Sequence, residues 1–210
     1  MSREIVFDIE THGDIRIMDS LKVTVVSIYE YENDRYRSFV ESELSELWPI
    51  FEKADRLIGY NSGHFDLPIL GRYYSGNISR LPHLDILKII KESTGSRFKL
   101  NDIAKATIQK EKSGDGLQAV KWFEEGKIDL VKQYCEQDVL VTKEVYEYGR
   151  KNGMLYYPKI TGDIVPFPVN FEPLPAAVGM KQTSGVNLTL PFWALIETDL
   201  LKIQTDWTSV

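Results

Sequence analysis

Three apolar, β-branched runs occupy the first forty residues, and they constrain the fold more than any other feature of this chain. Residues 4–9 (EIVFDI), 21–31 (LKVTVVSIYEY) and 35–40 (RYRSFV) all read as strands. Asn33-Asp34 is a turn signal that joins the last two as a hairpin. Beyond residue 42 strands and helices alternate. Helical spacing over 43–54 puts Leu44, Leu47, Trp48 and Phe51 on one face, with Ser42 the expected cap and Pro49 expected to shorten or kink the helix. Residues 56–60 (RLIGY) read as a short buried strand, 66–75 as a helix starting near Pro68, and 82–85 as a strand leading into a helix at 86–92. Helices are predicted near 101–107 and 116–125, and a longer one at 127–150. Antiparallel strands first, then strand–helix alternation, predict an α/β fold: a mixed sheet flanked by helices.

The character changes after residue 150. Six of the nine prolines fall in 151–210, and no strand or helix period is sustained there except a possible amphipathic segment at 192–203. The expected organisation is a domain over 1–150 and a proline-rich appendage over 151–210. Phe167, Phe171, Phe192, Trp193 and Trp207 are too many large aromatics for an idle linker, so the appendage is expected to wrap the domain or dock a protein partner.

Composition narrows the chemistry. One cysteine, Cys135, excludes an internal disulfide framework and an all-cysteine zinc site. No two of the three histidines (His12, His64, His83) are four apart, which excludes a helical His–His zinc pair. No apolar run approaches a membrane span, and the N-terminus carries acids where a secretory leader needs an apolar core. A reducing, cytoplasmic setting is expected. The net charge of −6 excludes a uniformly basic nucleic-acid coat. The charge is uneven, however: residues 88–112 hold seven basic residues against three acidic ones, either a solvated helical surface or a rim facing phosphates.

Three acidic patterns remain. Asp8 and Glu10 stand two apart at the end of the first strand and so share a face. Acids two apart also occur at Glu30/Glu32 and Glu41/Glu43, so the pair alone identifies nothing. Asn61 to Asp66 lies between a buried strand and a helix, where Asp66 is either a first-turn acid or a group hanging over the sheet end. Tyr134 and Asp138, four apart, share a helix face that is otherwise apolar through Ile128, Val131 and Val139. An Asp on such a face is costly unless a metal or hydrogen bond compensates. Together, four carboxylates and a phenol can converge at one sheet end, a hard oxygen set suited to two Mg²⁺ or Mn²⁺ ions.

In this order and at these separations, FDIET, N-x-x-x-F-D and Y-x-x-x-D resemble the three exonuclease motifs of the DEDD superfamily of 3′–5′ exonucleases, which have a ribonuclease H-like fold. The resemblance covers residues 1–150. Tyr at position 134, with Gln at 133, is similar to the tyrosine branch, and the chain most resembles stand-alone relatives of the family B DNA polymerase proofreading domain. The resemblance implies a metal-dependent hydrolase acting on the 3′ end of single-stranded DNA or RNA and releasing nucleoside 5′-monophosphates. It implies that Asp8 bridges two ions, that Glu10 and Asp138 complete the ion beside the attacking water, that Asp66 supports the second, and that Tyr134 orients the water. Thr11, Asn61 and Phe65 resemble positions near the terminal nucleotide, and Arg97 and Lys99 are expected to meet phosphates. Asp85 is expected to cap a helix, and Cys135 to be a core residue. An idle binding or scaffold module of the same fold is the alternative; loss of a motif residue would mark it, and none is lost. A third reading is an adaptor working through the proline-rich tail.

Overall fold

The computed structural model describes residues 3–110 and 116–172. Strands β1 (Glu4–His12), β2 (Lys22–Glu30) and β3 (Arg35–Val40) form an antiparallel meander. The β2–β3 turn places Asp34 in the left-handed region at φ 48°, where its carboxylate accepts from the Tyr29 hydroxyl at 2.6 Å. Strand β4 (Arg56–Gly59) joins β1 in parallel and β5 (His83–Asp85) joins β4 in parallel, giving the order β3-β2-β1-β4-β5. The mixed α/β sheet predicted from the sequence is therefore present.

Alternation along β1 sorts its side chains between two helical layers. Ile5, Phe7 and Ile9 pack with Leu44, Leu47 and Phe51 of α1 (Leu44–Lys53) and with Leu67 and Leu70 of α2 (Asp66–Leu70). Phe7 and Phe51, both fully buried, meet edge-on with ring centroids 5.4 Å apart. On the other face, Val6 packs with Ile86 and Ile90 of α3 (Ile86–Thr94), Ile103 of α4 (Leu100–Ile108) and Val139 and Val145 of α6 (Ile128–Asn152). Helix α5 (Gly116–Glu124) brings Trp122 and Phe123 against Val25, Val131 and Cys135.

Three local expectations need correction. Ser42 does not cap α1: residues 41–43 form a 3-10 turn that takes Ser42 into the helical path, and Glu43 accepts from the Val40 N–H at 3.0 Å instead. Pro49 sits inside α1. The helix expected over 66–75 ends at Leu70 with Gly71 as its C-cap: the N–H groups of Arg72 and Tyr73 bond only three residues back, to Ile69 and Leu70, and the Arg72 side chain donates to the carbonyls of Asp19 (2.9 Å) and Leu21. After residue 150, where no strand period was read, β6 (Met154–Pro158) and β7 (Ile164–Pro168) form an antiparallel hairpin. A two-stranded sheet tolerates Pro158, Pro166 and Pro168, because each strand has one edge whose N–H groups need no partner. Residues 192–203, which hold Phe192 and Trp193, and Trp207 lie outside the described residues.

Leu155, Phe167 and Phe171 enter the same core as α6, and a buried polar cluster secures them. The Arg56 guanidinium donates to Glu4 Oε1 through Nε (3.0 Å) and Nη2 (2.5 Å), and to the Phe171 carbonyl through Nη1 at 2.5 Å. The Tyr146 hydroxyl donates to Glu4 Oε1 at 3.0 Å, and Arg150 adds a contact to Oε2 at 3.2 Å. A buried ion pair of this kind is tolerable because the polar atoms are satisfied, and removing one partner costs about 3–5 kcal/mol. Phe171 lies directly over Gly149, where an added Cβ would stand 2.3 Å from its Cε2. We expect Phe171→Ala to destabilise the protein by about 3–5 kcal/mol in chemical denaturation. A loss below about 1 kcal/mol would show that the chain after residue 150 contributes little to this core.

Candidate metal centre

The site begins with unequal strand lengths. β1 pairs with β4 only through Glu4–Arg56, Ile5–Leu57 and Val6–Ile58, yet β1 continues to His12 while β4 stops at Gly59. Asp8 and Glu10 therefore project from a part of β1 whose β4 flank has opened. They share a face with Glu4 and Val6, which look towards α6. A register shift after Glu10 interrupts the alternation, and Thr11 lines the same cleft as Glu10.

The chain leaving β4 folds back sharply. A side chain at Gly59 would collide with Ser62, its Cβ lying 2.4 Å from Ser62 Oγ. Asn61 adopts a left-handed φ of 62°, a conformation asparagine accepts more readily than most residues. The Asp85 carboxylate fixes this turn by accepting from the N–H groups of Asn61 (2.8 Å) and Gly63 (3.0 Å), and it caps α3 through Leu87 N–H at 3.0 Å. Asp85 thus does more than the expected capping: it holds the loop that delivers Asp66 as the first residue of α2. Helix α6 runs antiparallel to β1, with Tyr146 over Glu4 and the Cys135 thiol donating to the Asp8 carbonyl at 3.4 Å. One turn on from Tyr134, it turns Asp138 inwards, and Asp138 is only 3% exposed.

Asp8, Glu10, Asp66 and Asp138 line one cleft of about 590 Å³. Burial pushes the Asp66 carboxyl well above the usual carboxylate range, and the charges of Asp8, Asp85 and Glu10 push it further, against one backbone N–H that lowers it. Burial, then Asp8 and Glu10, likewise hold the Cys135 thiol well above its ordinary value. Carboxylate oxygens of Asp8 and Glu10 and the Cys135 sulfur all lie within 4.8 Å of one another. A buried thiol kept protonated is a poor ligand, so oxygen remains the working donor. Four carboxylates crowded so that one is driven towards neutrality are the arrangement a divalent cation relieves. The donor set fits Mg²⁺ or Mn²⁺.

The other expected residues divide. Thr11, Asn61 and Phe65 line the cleft. Tyr134 is buried beside Trp122, ring centroids 6.3 Å apart, and is not among the residues that line it. Arg97 Nη2 donates to Asn61 Oδ1 at 2.7 Å, whereas Lys99 is exposed at the start of α4 and does not line this cleft. The basic stretch is not one rim: Lys110 is engaged by Glu144 at 2.5 Å, and Lys112 lies outside the described residues. His83 meets Ser62 Oγ at 2.8 Å, and burial lowers its pKa, in keeping with a structural role. Sequence reasoning missed Tyr60, Ile15 and Val120 in the cleft wall, all apolar or aromatic positions without a motif. It also missed Ser27, the partner of Asp8 across the sheet, whose hydroxyl meets Ser38 Oγ at 2.8 Å; a serine inside a β-branched run was the available signal.

The sequence profile of the RNase_H superfamily matches residues 5–149. A search of the curated proteins finds no match. Among solved structures, the chain is similar to the family B DNA polymerase from the hyperthermophilic archaeon Pyrobaculum calidifontis, at 16% identity and a TM-score of 0.55, covering 71% of this chain and 24% of the polymerase. A second similar structure is Phi29 DNA polymerase complexed with primer-template DNA, at 15% identity and a TM-score of 0.46, covering 72% of this chain and 31% of that one. The chain thus spans less than a third of either polymerase, and at 16% identity the likeness to the archaeal polymerase is one of fold. Among the described residues, no helix is long and apolar enough to cross a membrane.

If the acids form a cation site, millimolar Mn²⁺ raises the melting temperature through mass action. Asp66→Asn should melt higher than the unsubstituted protein without metal at neutral pH, because one repelled buried charge is gone. The sign follows from the raised pKa: native Asp66 holds its proton to higher pH than the unfolded chain, so ionising it costs stability as pH rises past about 4. The gap should therefore shrink as the pH falls and Asp66 becomes neutral. No metal shift, together with no gap at neutral pH, would contradict the site.

Proposed function

Since the chain belongs to the RNase_H superfamily, we propose that it is a metal-dependent 3′–5′ exonuclease of the tyrosine branch, hydrolysing the terminal phosphodiester of a single strand and releasing nucleoside 5′-monophosphates. The observation that carries this reading is the convergence of Asp8, Glu10, Asp66 and Asp138 on one cleft from a strand, a strand–helix junction and a late helix. The motif order supports it, as does the likeness in fold to a DNA polymerase.

Bound divalent cations supply a water acidic enough to attack at neutral pH and neutralise charge gathering on the phosphoryl oxygens. The chain's own contribution is placement. Asp8, at the middle of β1, would contribute to holding both cations. Glu10 and Asp138 would hold the cation beside the attacking water, and Asp66 would hold the other. Tyr134, one turn before Asp138 on α6 and behind the residues that line the cleft, is assigned from its motif to orienting that water; a phenol is a weak base, so its geometry would matter more than its proton affinity. The ring's packing against Trp122 limits its freedom, which suits an orienting role. Thr11, Asn61 and Phe65 form the wall against which the terminal nucleotide rests. The sequence over 151–210 carries no counterpart of the three acidic motifs, so no catalytic residue is assigned to it.

The test is an assay on 5′-labelled and 3′-labelled single-stranded DNA and RNA with Mn²⁺. A descending ladder from the 5′ label, with immediate mononucleotide release from the 3′ label, is expected; internal cuts or digestion from the 5′ end would overturn the direction. Asp8→Asn should abolish hydrolysis while leaving the fold intact. Tyr134→Phe should lower turnover by about two to four powers of ten with metal affinity little changed. Equal loss of both would make the tyrosine structural.

A further inference from the structure

A second cleft, of about 450 Å³, adjoins the acidic one, and Asn61 lines both. Its charge is opposite. Lys88 and Lys91, on the exposed side of α3, and Arg97 line it together with His64. The carboxylate that lines it, Asp85, is already engaged by the N–H groups of Asn61, Gly63, Leu87 and Lys88. Arg97 gives one guanidinium N–H to Asn61 Oδ1 at 2.7 Å, which fixes its head at the boundary between the clefts. Lys88 meets Glu92 one turn along α3 at 4.0 Å, a solvent-exposed pair worth little. In a chain of net charge −6, three cations around one concavity whose carboxylate is engaged by backbone form a local anion site.

Resting on the exonuclease reading, we propose that this basic cleft is a subsite for backbone phosphates of the substrate strand. The strand leaves the acidic cleft over Asn61 and sets a phosphate remote from the cleaved linkage against Lys88, Lys91 and Arg97. A ligand that spans a cation-holding carboxylate site and an adjoining cluster of ammonium and guanidinium groups needs regularly repeated anionic groups. A phosphodiester strand has them, whereas a free mononucleotide carries a single phosphate. The contacts read the backbone and not the base, so they add affinity without sequence preference.

The experiment compares the p-nitrophenyl ester of thymidine 5′-monophosphate, which has no second phosphate, with a thymidine octanucleotide, both with Mn²⁺. The variants are Lys88→Ala/Lys91→Ala and the charge reversal Lys88→Glu/Lys91→Glu; both positions are exposed, so folding is retained and is checked by circular dichroism. For the octanucleotide we expect KM to rise on the order of tenfold in the neutral variant and further in the reversed one, with kcat within about twofold. Its salt dependence should flatten by about 0.7 for each phosphate no longer neutralised. The effect should vanish on the ester. An octanucleotide KM unchanged by both variants, while the unsubstituted protein hydrolyses both substrates, overturns the subsite and leaves the exonuclease reading standing. KM rising equally for ester and strand also overturns it, since the lysines would then act through a general field. Weaker inhibition by thymidine 5′-monophosphate with unchanged octanucleotide KM would assign the cleft to the released product and overturn it too. Hydrolysis of neither substrate by the unsubstituted protein removes the exonuclease reading itself.

Discussion

The pairing of β1 with β4 ends at Val6–Ile58, and the rest of the site follows from that early stop. Had the parallel ladder continued, Asp8 and Glu10 would stand beside a neighbouring strand. Because β4 turns away at Gly59, the tip of β1 flanks an opening instead, and the returning loop carries Asp66 into it. The space lies beyond the carboxyl end of β4, where open α/β sheets commonly leave a crevice for ligands. The turn itself is held by Asp85, a carboxylate whose acceptors are occupied by backbone N–H groups.

The two ends of the β1–α6 pair manage buried charge in opposite ways. At the Glu4 end, Arg56, Tyr146 and Arg150 surround one carboxylate with donors, and Arg56 also holds the Phe171 carbonyl. At the Asp8 end, acids crowd one another until Asp66 is driven towards neutrality. The first end surrounds its buried charge with donors; the second gathers four acids on one cleft, an arrangement that a bound cation would relieve. The same helix, α6, faces both ends.

Much of this was legible in the sequence. The three N-terminal strands and α3 to α6 followed from β-branched runs and helical spacing, because their apolar faces are what the core buries. Asp138 was legible as a polar residue on an apolar stripe, and the structure leaves it 3% exposed. The β6–β7 hairpin was not legible: its prolines suit edge positions, and edge strands need no sustained alternation. Ser42 looked like a cap because composition does not reveal a 3-10 turn placed before a helix. The link from Arg97 to Asn61 was equally hidden, since a contact across 36 residues depends on where α3 sets the loop.

The central claim, a cation centre built from Asp8, Glu10, Asp66 and Asp138, is tested most directly by anomalous scattering from Mn²⁺ in crystals grown with thymidine 5′-monophosphate. The account predicts two manganese peaks in the acidic cleft, one shared by Asp8 with Glu10 and Asp138 and the other on the Asp66 side, with the nucleotide phosphate touching both. Manganese bound elsewhere on the protein with none in this cleft would contradict it.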